Sequence, residues 1–165
     1  MIQRTLVLIK PDGVMRGLVG EVIKRFENKG LKIIGLKMVC IDKEFAAKHY
    51  TEDITKRKGE KVRIMLLDYI TEGPIVAMVI EGVDAVDVVR IIIGDTEPSK
   101  AMPGTIRGDF THHSFKYTDG KEMAVKNVIH SSANPEEAEK EILLWFSINE
   151  LYDYKKVDEI LHYGK

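Results

Sequence analysis

One histidine, His130, stands in the run Asn127-Val-Ile-His-Ser-Ser132, where an apolar stretch gives way to a helix start. Val125, Val128 and Ile129 predict a short strand. Asn134-Pro135-Glu136-Glu137 predicts a helix N-terminus, with Asn as N-cap, Pro at the first helical position and Glu at the capping-box site. The imidazole is therefore expected at an exposed strand-to-helix corner, where the helix end favours negative charge such as phosphate. An imidazole with an unperturbed pKa of about 6.5 is largely neutral at pH 7, so one ring nitrogen can attack phosphorus without prior activation. A surface or packing histidine fits the same place.

Phosphoryl transfer asks little covalent work of a protein beyond a nucleophile and donors that stabilise charge on the transferred group. Lys10, Arg90, Arg107, Thr96, Tyr50 and Asn127 supply such donors if the fold brings them together. Taken singly, Lys10 and the arginines read as surface charges, Thr96 and Asn127 as turn residues, and Tyr50 as a half-buried aromatic. His112-His113 is not a metal pair by spacing: neighbours on an extended segment point to opposite sides, and no third ligand follows at a suitable distance. No Gly-x-x-x-x-Gly-Lys-Ser/Thr loop and no kinase Gly-rich loop with a His-Arg-Asp set is present.

The elements that must position these groups follow from periodicity. Gln3 to Lys10 predicts a strand closed by the turn Pro11-Asp12-Gly13, with Lys10 at the strand end. Val19, Val22, Ile23 and Phe26 recur at helical spacing and stop at Lys29-Gly30. Leu31 to Ile41 predicts a second strand, with Cys40 packed in it, and Asp42 opens a short helix that ends near Tyr50. Lys56 to Arg63 is strongly basic, and Val62, Met65, Leu66, Tyr69 and Ile70 form one helical stripe ahead of Gly73-Pro74. Ile75 to Glu81 predicts a buried strand, followed by a helix from Asp84 to Ile93 that carries Arg90. Asp95 to Met123 reads as a long, mostly irregular loop with a tight hairpin turn at Asp119-Gly120, and loops of that length are usually functional. The helix from Pro135 to Phe146 buries Ala138, Ile142 and Trp145, and the tail from Ser147 has enough Leu and Tyr to dock on a neighbour. The order of elements predicts an α+β, ferredoxin-like antiparallel sheet backed by helices, with an inserted helical hairpin and a long active-site loop.

The chain has 165 residues, 44% hydrophobic and 31% charged, which predicts one domain over 1–165. A net charge of −1 gives no basic field, so nucleic acid is not expected as the main partner. Apolar runs such as Ile75 to Ile80 fall far short of the roughly 20 residues needed to cross a bilayer, so no membrane partner is expected. One cysteine and the lack of a basic-then-apolar leader point to the cytoplasm.

Thr5-Leu-Val-Leu-Ile-Lys-Pro-Asp-Gly-Val14 with Arg16-Gly17, Gly94-Asp-Thr-Glu-Pro98, Pro103-Gly-Thr-Ile-Arg-Gly-Asp109, the histidine run and Trp145-Phe146 together resemble nucleoside diphosphate kinase over nearly the whole chain. The resemblance implies a ping-pong shuttle in which His130 takes the γ-phosphate of a nucleoside triphosphate and passes it to a nucleoside diphosphate. It implies that Lys10 and Asn127 meet the sugar hydroxyl, Tyr50 lies beside the histidine, Glu141 orients the imidazole, and Arg90, Thr96 and Arg107 hold phosphates. Val62 aligns with the aromatic residue that stacks on the base. Magnesium arrives with the nucleotide, no dedicated metal site is expected, and a homo-oligomer is implied. Ser131, Ser132 and Ala133 depart from the small residue, Ser and Asp that usually follow the histidine. Extra residues are expected between Tyr50 and Gly73 and between Asp109 and Asn127. The competing reading is a ferredoxin-like nucleotide- or nucleic-acid-binding regulatory module without phosphotransfer, using the Lys56 to Arg63 face and the loop around Phe115 and Tyr117.

Overall fold

The computed structural model describes residues 1–164. Its strands are β1 (Ile2–Ile9), β2 (Lys32–Val39), β3 (Ile75–Val83) and β4 (Ile129–Ser131). They form one sheet in the order β2-β3-β1-β4, with every neighbouring pair antiparallel. The helices are α1 (Pro11–Met15), α2 (Val19–Asn28), α3 (Lys43–His49), α4 (Glu52–Lys58), α5 (Glu60–Ile70), α6 (Ala85–Ile93), α7 (Ile106–Phe110), α8 (Phe115–Asp119), α9 (Pro135–Trp145) and α10 (Glu159–Tyr163). This is the expected α+β, ferredoxin-like arrangement.

The central strand explains the layering. In β1 successive side chains alternate between the two faces, and both faces are covered, so the strand reads as an unbroken apolar run. Val7 and Ile9 join Val22 and Phe26 of α2 and Val89 and Ile93 of α6 in one core. Leu6 and Leu8 join Ala46 of α3, Ile70 of α5, and Ile142 and Trp145 of α9 in the other.

Register then selects a face for the chemistry. Leu8 stands opposite His130 in the β1/β4 ladder, and directly opposed residues share a face. His130 therefore lies on the Leu8 side, toward α3 and α9. Lys10, two residues beyond Leu8, and Ser132, whose N–H donates to the Leu6 carbonyl at 3.2 Å, continue the same row.

Several expectations are corrected. Pro11-Asp12-Gly13 is not a bare turn but the first residues of α1, with Pro at its start, where a missing N–H costs nothing. Cys40 lies just beyond β2 and is exposed rather than packed. The strand near the histidine is Ile129–Ser131, because Val128 has φ +67° and cannot extend a ladder. His130 sits inside that strand with its side chain only 19% exposed, not at an open corner. The stretch from Asp95 to Met123 holds a 3-10 turn at Pro98–Lys100 and the helices α7 and α8, so it is less irregular than expected. Asp119-Gly120 closes α8 instead of making a hairpin, since Ser114 caps the Tyr117 N–H and the Ser114 carbonyl accepts from Thr118.

Local signals held elsewhere. Asp42 caps α3 by accepting from the Phe45 N–H at 2.8 Å. Asn134 caps α9 by accepting from the Glu137 N–H at 2.8 Å, and Glu137 returns to accept the Ala133 N–H at 3.0 Å. The C-terminal segment docks on its own chain: Tyr152 N–H donates to the Ile34 carbonyl, and Lys32 meets Glu159 at 3.0 Å. No described helix is long and apolar enough to cross a membrane.

Candidate active site

His130 Nε2 lies 2.9 Å from Glu141 Oε1, a residue α9 presents about two turns past its Asn134 cap. Burial alone would raise the Glu141 carboxyl, but the His130 ring beside it and the Ser132 hydroxyl hold it below the usual range, so it is ionised. A carboxylate only accepts, which puts the His130 proton on Nε2 and leaves the lone pair on Nδ1. Ser132 Oγ donates to Glu141 Oε2 at 2.5 Å and accepts from the Leu6 N–H, so the carboxylate is fixed at both oxygens.

A second imidazole packs here. The His49 side chain, 1% exposed at the end of α3, meets the His130 ring edge-on with centroids 4.7 Å apart. His49 Nδ1 accepts from Trp145 Nε1–H at 3.3 Å, and its Nε2 has no partner. Burial pushes its pKa down to about 3, so it is neutral beside the Glu141–His130 pair. Tyr50, the C-cap of α3, is buried with its ring 4.7 Å from that of His49, and burial keeps its phenol protonated.

The cationic side is built from three segments. Lys10 Nζ donates to Asn127 Oδ1 at 2.8 Å, and Asn127 Nδ2 donates to the Thr96 carbonyl at 3.0 Å. Burial, together with the neighbouring Arg107 charge, lowers the Lys10 pKa to about 7. Arg107, in α7, gives its guanidinium to the carbonyls of Asn127 (3.3 Å), Gly94 (3.0 Å) and Ile129 (2.7 Å). A guanidinium has five N–H donors, so two remain for a ligand. Burial draws the Arg107 pKa down to about 10, which leaves it charged at neutral pH. Arg90, exposed on α6, is close enough to lower Arg107 further.

These contacts make two groups, Lys10, Thr96, Arg107 and Asn127 in one and Tyr50, His49, His130 and Glu141 in the other, with Arg107 bonded to the carbonyl of Ile129 next to His130. Val62 is half-buried near the start of α5; the next residue, Arg63, donates to the Tyr50 carbonyl at 2.7 Å, which ties that turn to the site's edge. Lys61 meets Glu122 at 2.6 Å, so the helical hairpin and the segment after α8 touch.

Sequence reasoning passed over Ser132, His49 and Asp12 as site residues. For Ser132 a signal existed, since a strand places residue i+2 on the same side as residue i. Nothing local marks His49. Ligand atoms of His49, His130 and Glu141 lie within 4.8 Å of one another. The trio is nonetheless already engaged, His49 Nδ1 with Trp145 and Glu141 with His130 and Ser132.

Comparison with known proteins decides the family. The family model "Nucleoside diphosphate kinase" matches residues 3–151. The chain belongs to the nucleoside diphosphate kinase family. The nucleoside diphosphate kinase of Borreliella burgdorferi is 49% identical over 164 residues, covering 99% of this chain and 98% of that protein. The Pyrococcus furiosus enzyme of the same name is 52% identical over 157 residues, covering 94% and 89%. Among solved structures, a transition state mimic of the Borrelia burgdorferi kinase with bound vanadate and ADP superposes with a TM-score of 0.96 at 49% identity, covering 98% of this chain and 97% of that one. Phosphotransfer from a nucleoside triphosphate to a nucleoside diphosphate is therefore the activity of this chain, and the alternative of a binding module without phosphotransfer is set aside.

Proposed function

We propose that His130 carries the phosphate. The observation that supports this is the Glu141–His130 contact, which places the proton on Nε2 and frees Nδ1. In the first half-reaction the Nδ1 lone pair attacks the γ-phosphorus, and the bond from that phosphorus to the bridging oxygen breaks. The diphosphate leaves with the electron pair. The ring, still protonated at Nε2, gains positive charge that the Glu141 carboxylate balances. A second nucleoside diphosphate reverses these steps, so donor and acceptor use one pocket in turn.

Lys10 and Asn127 meet the sugar hydroxyl and reacting phosphate, Arg107, Arg90 and Thr96 hold the remaining phosphates, and Tyr50 borders the histidine. Val62 contacts the base. Mg2+ would come with the nucleotide and would supply charge neutralisation at its phosphates. The nearby carboxylates fit that arrangement: Asp12 accepts from Tyr69 and the Val128 N–H, Asp95 from the Glu97 N–H, and Glu141 from His130 and Ser132. The chain acts as one domain in the cytoplasm, consistent with an exposed, unpaired Cys40. Leu36 and Met38, exposed on the edge strand β2, favour a homo-oligomer.

Incubation with radiolabelled ATP tests the proposal. The label should be covalent, stable in alkali and lost in acid, and should be absent in His130→Ala. A label that persists in that variant removes His130 as the carrier.

A further inference from the structure

Val128 lies between Asn127 and Ile129, two residues before the histidine, and its φ of +67° is the left-handed region that a β-branched residue avoids. Ile129 N–H donates back to the Asn127 carbonyl at 2.7 Å, which closes a three-residue turn of the rare positive-φ form. Such a backbone persists only where its surroundings over-determine it.

The surroundings here do so at every polar atom. Val128 N–H donates to Asp12 Oδ2 at 3.1 Å, and the Val128 carbonyl accepts from Lys10 N–H at 2.8 Å. The flanking carbonyls of Asn127 and Ile129 accept from Arg107. Asp12 is itself aimed by Tyr69, whose hydroxyl donates to Oδ1 at 2.5 Å from a side chain that is 1% exposed. Gly13 completes the bracket: a Cβ there would stand 2.8 Å from Ile9 and 3.0 Å from Val128, so the first turn of α1 lies against the turn only because residue 13 is glycine.

We infer that Tyr69 and Asp12 form a positioning pair for the reaction: by holding Val128 in its left-handed turn they keep His130, two residues on, directed to the side on which Lys10 lies, while Asn127 is held separately by Lys10 and the Thr96 carbonyl. The inference rests on the reading of His130 as phosphate carrier. Neither Tyr69 nor Asp12 touches the transferred group. Their hydrogen bonds act through the Val128 N–H, and a buried tyrosine hydroxyl far along the sequence thereby sets the direction of the nucleophile.

The test uses the full chain and measures two quantities: the single-turnover rate of covalent labelling by MgATP, and the dissociation constant for ADP. Tyr69→Phe removes only the hydroxyl, keeping the ring over which Lys10 and Lys126 sit at 5.1 Å and 4.1 Å. It should slow labelling at saturating nucleotide at least tenfold while ADP affinity changes less than threefold. Adding Val128→Gly, which makes a positive φ free of side-chain clash, should recover most of that loss relative to Val128→Gly alone. Adding Val128→Ala, which removes similar volume but keeps a Cβ, should not. A Tyr69→Phe rate within twofold of wild type overturns the inference, as does equal behaviour of the Gly and Ala pairs. Should the glycine variants not fold, the three-bond HN–Hα coupling of Val128 in Tyr69→Phe decides instead: a retained positive φ with a slowed rate overturns it. If His130→Ala still labels, the carrier reading fails; if labelling needs His130 and Tyr69→Phe is unaffected, only the positioning pair fails.

Discussion

Glu141 Oε1 stands 2.9 Å from His130 Nε2, and its other oxygen is held by Ser132, so one carboxylate fixes both the tautomer and the direction of the imidazole. Glu141→Gln keeps the shape but removes the charge proposed to balance the ring when it carries phosphate. A hydrogen bond to a charged group contributes roughly 1.5–3 kcal/mol, so the labelling rate should fall about 10- to 100-fold with little change in ADP affinity. Stopped-flow labelling and equilibrium binding on the same variant check this, and an unchanged rate would assign Glu141 to packing.

Lys10 gives a pH signature. Burial and Arg107 lower its pKa to about 7, so in the free protein it is charged below that pH and mostly neutral near pH 8. A bound phosphate favours the ammonium form and raises the pKa again. ADP binding near pH 8 should therefore take up close to one proton per site, and the uptake should vanish below about pH 6, where Lys10 is already protonated. Calorimetry in buffers of different ionisation enthalpy measures it directly. Lys10→Met should abolish the uptake.

Arg107 and Arg90 should separate cleanly. Arg107 bonds three backbone carbonyls, so Arg107→Ala should cost stability of about 3 kcal/mol or more, besides weakening nucleotide binding. Arg90 is exposed, and Arg90→Ala should change unfolding free energy by roughly 0.5 kcal/mol or less while still reducing phosphate affinity. Denaturant unfolding beside ADP titration of both variants is the measurement; equal stability losses would contradict the contrast.

The family resemblance leads one to expect an acidic residue where Ala133 stands, yet its N–H is already accepted by Glu137, and Asn134 caps the helix behind it. Ala133→Asp adds a carboxylate where the local donors are satisfied. Turnover should change less than tenfold, or under about 1.4 kcal/mol. A large gain in steady-state rate would instead mean that the alanine impairs the site.

In the proposed placement Val62 would offer the base an apolar surface without a π face. Aromatic stacking contributes roughly 1–3 kcal/mol per base, so Val62→Phe should tighten ADP, GDP and CDP alike, and the present protein should discriminate little among them. Dissociation constants for the three nucleotides on both proteins test it. Strong selection of one base by the unaltered chain would move the base away from Val62.

How much of this could be read before folding follows from the range of the forces involved. The apolar run of β1, the Asp42 cap on α3, the Asn134-Pro135 start of α9 and the helical stripe from Val62 to Ile70 depend on residues within a few positions of one another, and each is legible as written. So are the motifs that place the chain in its family. Tertiary structure alone decided what requires pairing across the chain. The register that sets His130 opposite Leu8 joins segments more than 100 residues apart, and a shift by one residue would turn the imidazole to the other face. Likewise the positive φ of Val128 contradicts its own local preference and is imposed by Asp12, Lys10 and Arg107. Arg107, a surface charge by local reading, is instead buried because those carbonyls need donors once water is excluded. His49 is neutral for the same reason: nothing near it in sequence removes its charge, whereas burial against Trp145 and His130 does.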